Sequence, residues 1–82
     1  MSDRELLERI VSDPDVMTGK PVIRGTRLPV ELLVKAMAHG ATVDELLAEY
    51  NSLTEADIQA CLLFAAESVS GTALLPLARD AV

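Results

Sequence analysis

The chain has 82 residues, half of them hydrophobic, with seven basic and thirteen acidic side chains and a net charge of −6. This length allows one domain with a modest core, because Tyr50 and Phe64 are its only aromatic residues. The acidic balance argues against general coating of nucleic acid or binding to an anionic membrane surface, but a local basic patch can still bind DNA.

A small core favours oligomerisation, and we therefore expect a homodimer. The stretch Met1–Glu5 lacks the basic-then-apolar layout of a signal peptide, and the apolar segments are too short or too charged to span a bilayer. These features predict a cytoplasmic protein without membrane contact. The single cysteine, Cys61, lies in an apolar helical run and is predicted to be a buried hydrophobic residue.

The N-terminal part contains short elements. Residues 4–11 are predicted to form a helical turn that passes into a strand, and residues 13–15, Asp-Pro-Asp, a turn. Residues 19–29 contain two glycines and two prolines around the strand-forming pair Val22-Ile23. This stretch is predicted to form one or two short strands that lead into the first long helix.

The first long helix is predicted at about residues 29–39. Pro29 suits the first helical turn, where its missing N–H matters least, and Gly40 suits the position just past the helix end. Val30, Leu33 and neighbouring apolar residues form the buried stripe.

Two further helices are predicted at about 43–50 and 54–70, each with a capping box at its start. The boxes pair Thr42 with Glu45 and Thr54 with Asp57. Apolar residues then repeat at helical spacing in the third helix: Ile58, Cys61, Leu62, Ala65 and Val69.

This order of helices predicts a mainly α fold, a tri-helical helix-turn-helix bundle with a short N-terminal β element, over residues 1–70. Leu53 and Ile58 are predicted to pack as a hydrophobic staple around the last helix start. The preceding turn, of about three or four residues, contains Asn51, which suits a left-handed conformation. Ala48 is small, as close approach of two helices requires.

Residues 71–82 form an apolar C-terminal tail, in which Pro76 prevents a simple helical continuation. Leu74, Leu75 and Leu77 are too apolar for an idle solvated end. Two interpretations remain open: the tail covers the protein's own core or a dimer mate, or it folds onto a partner.

The residues give little support for catalysis. His39 lies at a helix end, where its charge favours the helix dipole, and no third group orients it with Cys61. No Cys or His pair has metal-ligand spacing. We therefore expect no enzymatic activity, no metal and no cofactor.

Basic side chains concentrate in one stretch that contains a single acid, Glu31, and they are the candidate DNA contacts: Lys20, Arg24, Arg27 and Lys35. The third helix opens instead with acidic side chains, which phosphates repel. The alternative is that these four cations are exposed charges that pair with the abundant carboxylates.

Three motifs together resemble the small prokaryotic proteins grouped as domain of unknown function 433. They are Gly-Lys-Pro-Val-Ile-Arg-Gly-Thr-Arg-Leu-Pro-Val at 19–30, His-Gly with Thr-Val-Asp-Glu at 39–45, and Tyr-Asn-Ser-Leu-Thr-Glu-Ala-Asp-Ile at 50–58. The resemblance covers roughly residues 9–69. Proline is common in that family where Asn51 or Ser52 stands here, a minor departure within the turn.

That family is regarded as VapB-like antitoxins with a helix-turn-helix. The resemblance implies a PIN-like ribonuclease toxin as partner and repression of a shared promoter by operator binding. In that case the tail, with Leu74, Leu75, Leu77 and Arg79, contacts the toxin. The alternatives are a stand-alone transcriptional regulator and a protein-interaction module with no DNA role.

Overall fold

The chain begins with short elements and continues into longer helices. The computed structural model describes residues 1–70, and the tail at 71–82, with its predicted partner contacts, lies outside them. The elements are α1 (Asp3–Leu7), β1 (Ile10–Val11), β2 (Val22–Ile23), α2 (Val30–Ala38), α3 (Val43–Glu49) and α4 (Glu55–Val69). The expectation of a mainly helical domain with a short N-terminal β element is confirmed.

The N-terminal arm (residues 2–11) contains α1 and β1. Ser2 and Glu5 form a capping box that starts α1. β1 then pairs antiparallel with β2, in the register Ile10 to Ile23 and Val11 to Val22. The Asp13 carboxylate accepts from the Asp15 N–H at 2.9 Å, which forms the predicted turn. Alternating short apolar and turn residues thus fold the arm back onto the β2 segment.

Helix α2 begins and ends at punctuation residues. Pro29 is the N-cap, with φ −68° and ψ 144°, and therefore lies just before the helix and not in its first turn as predicted. Gly40, with φ +98°, ends the helix: its N–H bonds the Met37 carbonyl, and the Ala41 N–H bonds the Ala36 carbonyl. This pair of bonds is a Schellman motif, which requires the left-handed conformation that glycine adopts without strain.

Helices α3 and α4 both start with the predicted capping boxes, at Thr42 and Thr54. The connection between them spans residues 50–54 and is longer than predicted. The prediction of a left-handed Asn51 is wrong, because Met17 and Thr18 are the only non-glycine residues with positive φ in the described chain. The helix ends instead at Tyr50 in extended conformation, and its carbonyl accepts from the Leu53 N–H at 3.0 Å.

The core collects one side of each long helix and the β2 segment. Its buried members are Ile23, Val30, Leu33, Leu46, Leu53, Ile58 and Cys61. Leu53 and Ile58 are both in this cluster, as the staple requires. Helix α4 packs mainly on α1 and α2 and less on α3. The close approach is therefore made by Ala60, which is fully buried, while Ala48 is exposed, contrary to prediction.

The apolar stripe of α4 is wider than its buried face. Leu62 and Val69 were predicted to repeat with the core residues, but they are 47% and 58% exposed. Leu32, on α2, is 41% exposed. The described helices therefore leave apolar surface uncovered.

Candidate functional site

The segment between β2 and α2 forms a tight turn with a hydrogen-bonded framework. The Thr26 N–H donates to the Ile23 carbonyl at 3.0 Å, and Gly25 has φ +80°, the combination of a type II turn. The Thr26 hydroxyl donates to the same carbonyl at 2.8 Å and accepts from the Leu28 N–H at 3.0 Å. The Ile23 N–H closes the framework on the Leu28 carbonyl at 3.0 Å. These bonds fix the backbone that carries Arg24 and Arg27.

Arg24 is held by the end of α1. Its Nε and Nη2 both donate to the Glu8 carbonyl, at 2.9 and 2.5 Å. Glu8 is the C-cap of α1, where carbonyl groups lack helical partners and a cation is favourable. The guanidinium is therefore oriented by the protein, although the Arg24 residue as a whole is exposed.

The two candidate lysines act on one carboxylate. Lys20 Nζ lies 2.5 Å from Glu31 Oε1, and both side chains are more than half exposed. The hydrogen bond and charge of Lys20, with a smaller contribution from Lys35, lower the pKa of Glu31. Lys35 itself is exposed and forms no hydrogen bond or ion pair within the described residues. For Lys20, pairing with an acid is thus what the structure contains.

Arg27 is the least engaged of the candidate cations. It is exposed on the turn, and within residues 1–70 its side chain makes no hydrogen bond or ion pair. The structure thus divides the predicted patch into two groups. Arg24 and Arg27 share the turn, and Lys20 and Lys35 surround Glu31.

The start of α4 contains an ion pair that sequence reasoning missed. Arg9 Nη1 lies 3.0 Å from Asp57 Oδ1, while Asp57 Oδ2 accepts from the Thr54 N–H at 3.0 Å. The Asp57 side chain is 9% exposed and that of Arg9 34%. The pair spans 48 positions along the chain, so no local pattern could have predicted it. Its consequence is that Glu55 is the exposed, unneutralised acid at the helix start.

An open apolar groove lies between α2 and the C-terminal half of α4. Its volume is about 430 Å³, and its apolar lining consists of Pro21, Val30, Val34, Phe64, Ala65 and Val69. Lys20 and Glu31, the exposed ion pair, also line it. The groove combines an apolar floor with a charged pair, which suits a polypeptide segment better than a small anion.

The chemistry-bearing residues do not form a catalytic constellation in the described part of the chain. Burial, together with the nearby Asp57 charge, raises the pKa of Cys61 to about 11, so the thiol is protonated at neutral pH and unsuited to nucleophilic attack. His39 lines a second hollow with Glu45, but the capping box engages Glu45 and lowers its pKa. Within residues 1–70, no three His, Cys, Asp or Glu side chains cluster as metal ligands.

Residues 1–70 include no helix that is both long and apolar enough to cross a bilayer. The predicted partner contacts Leu74, Leu75, Leu77 and Arg79 lie outside these residues.

Comparison with known proteins identifies relatives without an assigned function. An uncharacterised protein of Sinorhizobium fredii, y4eO, is 36% identical over 58 residues, which are 71% of this chain and 26% of that protein. An uncharacterised protein of Archaeoglobus fulgidus is 59% identical over 29 residues, 35% of this chain and 81% of that relative. The present chain thus spans about a quarter of the length of y4eO.

A solved structure shares both fold and sequence. The crystal structure of a DUF433 member protein from Anabaena variabilis superposes with a TM-score of 0.73 at 36% identity, covering 82% of this chain and 66% of that one. The family model described as "Protein of unknown function (DUF433)" matches residues 10–65. The chain belongs to the DUF433 family of proteins of unknown function.

Proposed function

We propose that this chain is the antitoxin of a type II toxin–antitoxin pair. It acts as a homodimer, binds operator DNA through the β2–α2 turn and binds a PIN-like ribonuclease toxin through its C-terminal tail. The observation that carries the DNA part is the rigid turn, on which Arg24 is oriented by the Glu8 carbonyl and Arg27 is exposed without a partner in the described chain. Guanidinium groups held in this way suit phosphates and guanine edges.

The local electrostatics support DNA binding at the turn despite the net charge of −6. Arg9 neutralises Asp57, and Lys20 neutralises Glu31, so two of the nearby acids do not oppose a phosphate. Glu55 still stands at the start of α4 and disfavours the entry of that helix into a groove. We therefore assign the main DNA contact to the turn, with α3 and α4 as the supporting helix pair.

The first test measures DNA affinity and its salt dependence. Arg27→Ala is expected to weaken binding to the chain's own upstream region by about tenfold, since a good arginine contact to DNA is worth about 1–3 kcal/mol. In a dimer it removes two phosphate contacts at most, which lowers the slope of log K against log salt by about 2. Arg4→Ala is the matched control, because Arg4 is an exposed arginine on α1, outside the turn.

Fluorescence anisotropy with labelled upstream DNA and a shuffled sequence gives both quantities. Equal affinity for the two DNAs at every salt concentration contradicts operator recognition. Equal losses for Arg27→Ala and Arg4→Ala contradict the assignment of the turn.

The second test concerns the toxin. The product of the adjacent gene is co-expressed with the full chain and with a chain that ends at Ser70, and capture is compared. The proposal predicts capture by the full chain and its loss on truncation, with far-UV circular dichroism confirming that the truncated chain is folded. Capture by neither chain favours the stand-alone regulator. Capture by both keeps the antitoxin but moves its toxin contact to the folded body.

Arg79 is proposed to approach the acidic metal site of the nuclease. Arg79→Ala should then reduce neutralisation while Arg4→Ala does not. Unchanged neutralisation by Arg79→Ala removes this contact from the proposal.

A further inference from the structure

The apolar groove between α2 and α4 begins where the described chain ends. Ser68 and Val69 line one end of it, and Phe64 lies farther back along the same helix. The groove volume of about 430 Å³ is nearly three times that of a cavity of about 150 Å³ that holds a benzene ring, so it accepts roughly two or three leucine-sized side chains. An apolar hollow of this size needs a cover.

The remaining chain has the length and composition to provide that cover. Residues 71–82 follow directly after Ser70 and contain Leu74, Leu75 and Leu77. Ser70 leaves the helix with φ −65° and ψ 123°, so the path departs from the α4 axis at this point. Gly71 follows, and its freedom of backbone conformation allows a reversal.

The distances agree with a reversal. From Ser70 to Leu74 the chain advances four residues, at most about 14 Å when extended. From Val69 back to Phe64, α4 rises by about 7.5 Å. The leucines therefore reach the whole groove without unwinding α4. We propose that Leu74, Leu75 and Leu77 occupy the groove of their own chain.

This docking gives the tail two alternative positions. The leucines in the groove are the same residues that we propose to contact the toxin, and they cannot do both at once. Toxin binding then requires release of the tail. The inference itself needs no toxin and is tested on the isolated chain, so it can fail while the proposed function stands.

The chain contains no tryptophan, so a single introduced one reports on the tail alone. Leu75→Trp and, separately, Leu77→Trp are placed in the full chain, and emission is measured with and without urea. We expect a blue-shifted, acrylamide-protected emission in buffer that shifts to the red on unfolding. Solvent-like emission from both reporters in buffer overturns the proposal.

Groove variants identify the docking site. Val69→Lys adds a cation to the last turn of α4, where the helix dipole favours it, and should expose the reporter. Leu62→Lys is the matched control, since Leu62 is a similarly exposed apolar residue on α4 that does not line the groove. A Val34→Lys variant checks the opposite wall, and circular dichroism confirms that each variant is folded.

Three results overturn the proposal at this stage. The first is a reporter that stays protected in folded Val69→Lys and Val34→Lys. The second is equal exposure with Leu62→Lys and Val69→Lys. The third is protection that disappears on dilution, because the tail then covers a second copy.

Discussion

Asp57 joins the N-terminal arm to α4, and its replacement by alanine should destabilise the fold strongly. The carboxylate accepts from Arg9 Nη1 and from the Thr54 N–H, each at 3.0 Å, and its side chain is 9% exposed. Asp57→Ala removes both bonds at once. It also leaves a half-buried guanidinium without a partner, which costs more than the lost bond alone.

The expected magnitude follows from these contacts. The backbone bond contributes about 1 kcal/mol, and a bond to a charged group about 1.5–3 kcal/mol. The lower half of the second range applies because the Arg9 side chain is 34% exposed and partly solvated. The sum is a loss of about 3 kcal/mol in the free energy of unfolding, which lowers Tm by about 10–20 °C in a domain of this size.

Urea unfolding followed by far-UV circular dichroism measures the change. Glu55→Ala is the matched control, since it removes an exposed acid from the same helical turn and should cost no more than about 0.5 kcal/mol. A double-mutant cycle with Arg9→Ala should give a coupling energy of about 1–2 kcal/mol. A coupling near zero, or equal losses for Asp57→Ala and Glu55→Ala, would falsify the latch between the arm and α4.

Three further changes test other parts of the fold. Gly40→Ala meets open space but forces a side chain into φ +98°, so urea unfolding should show a loss of about 1 kcal/mol; an unchanged midpoint would mean that the Schellman motif does not form. Leu33→Ala empties a fully buried core position and should cost about 2–5 kcal/mol, whereas Leu32→Ala, on the exposed side of the same helix, should cost much less; equal costs would contradict the assigned helix face. The raised pKa of Cys61 predicts that its stabilising contribution is complete below pH 9.0, the ordinary value for the thiol, and is lost as pH rises to about 11; Cys61→Ala should lack this part of the alkaline loss, and parallel profiles would refute it.

The starts of the helices were predictable because their stabilising bonds are local. Thr42 with Glu45 and Thr54 with Asp57 are three residues apart, and both capping boxes form as the sequence indicates. Gly40 similarly ends α2 by its own backbone freedom. These contacts depend on the chain within one helical turn and on nothing farther away.

The charged contacts were not predictable, since they depend on which elements dock. Asp57 reads as a simple cap until the arm brings Arg9 to it from 48 positions away. Arg24 reads as a free cation until α1 ends beside it and offers the Glu8 carbonyl. The sequence therefore located the basic stretch, but it did not separate Arg27 from Lys20, whose charge is partly spent on an acid.

The width of the buried faces also depended on packing. Helical periodicity grouped Leu62 and Val69 with the core of α4, but α1 and α2 cover only part of that stripe. Ala48 is exposed for the same reason, because α4 packs less on α3 than a simple helix pair would require.

Inhibition of the partner nuclease tests the central claim most directly. The purified product of the adjacent gene is assayed for RNA cleavage in the presence of its metal ion, with increasing amounts of the full chain. The account predicts that cleavage stops as the chain approaches one equivalent and that a chain ending at Ser70 fails to inhibit. Undiminished cleavage at a large excess of folded full chain would contradict the antitoxin assignment.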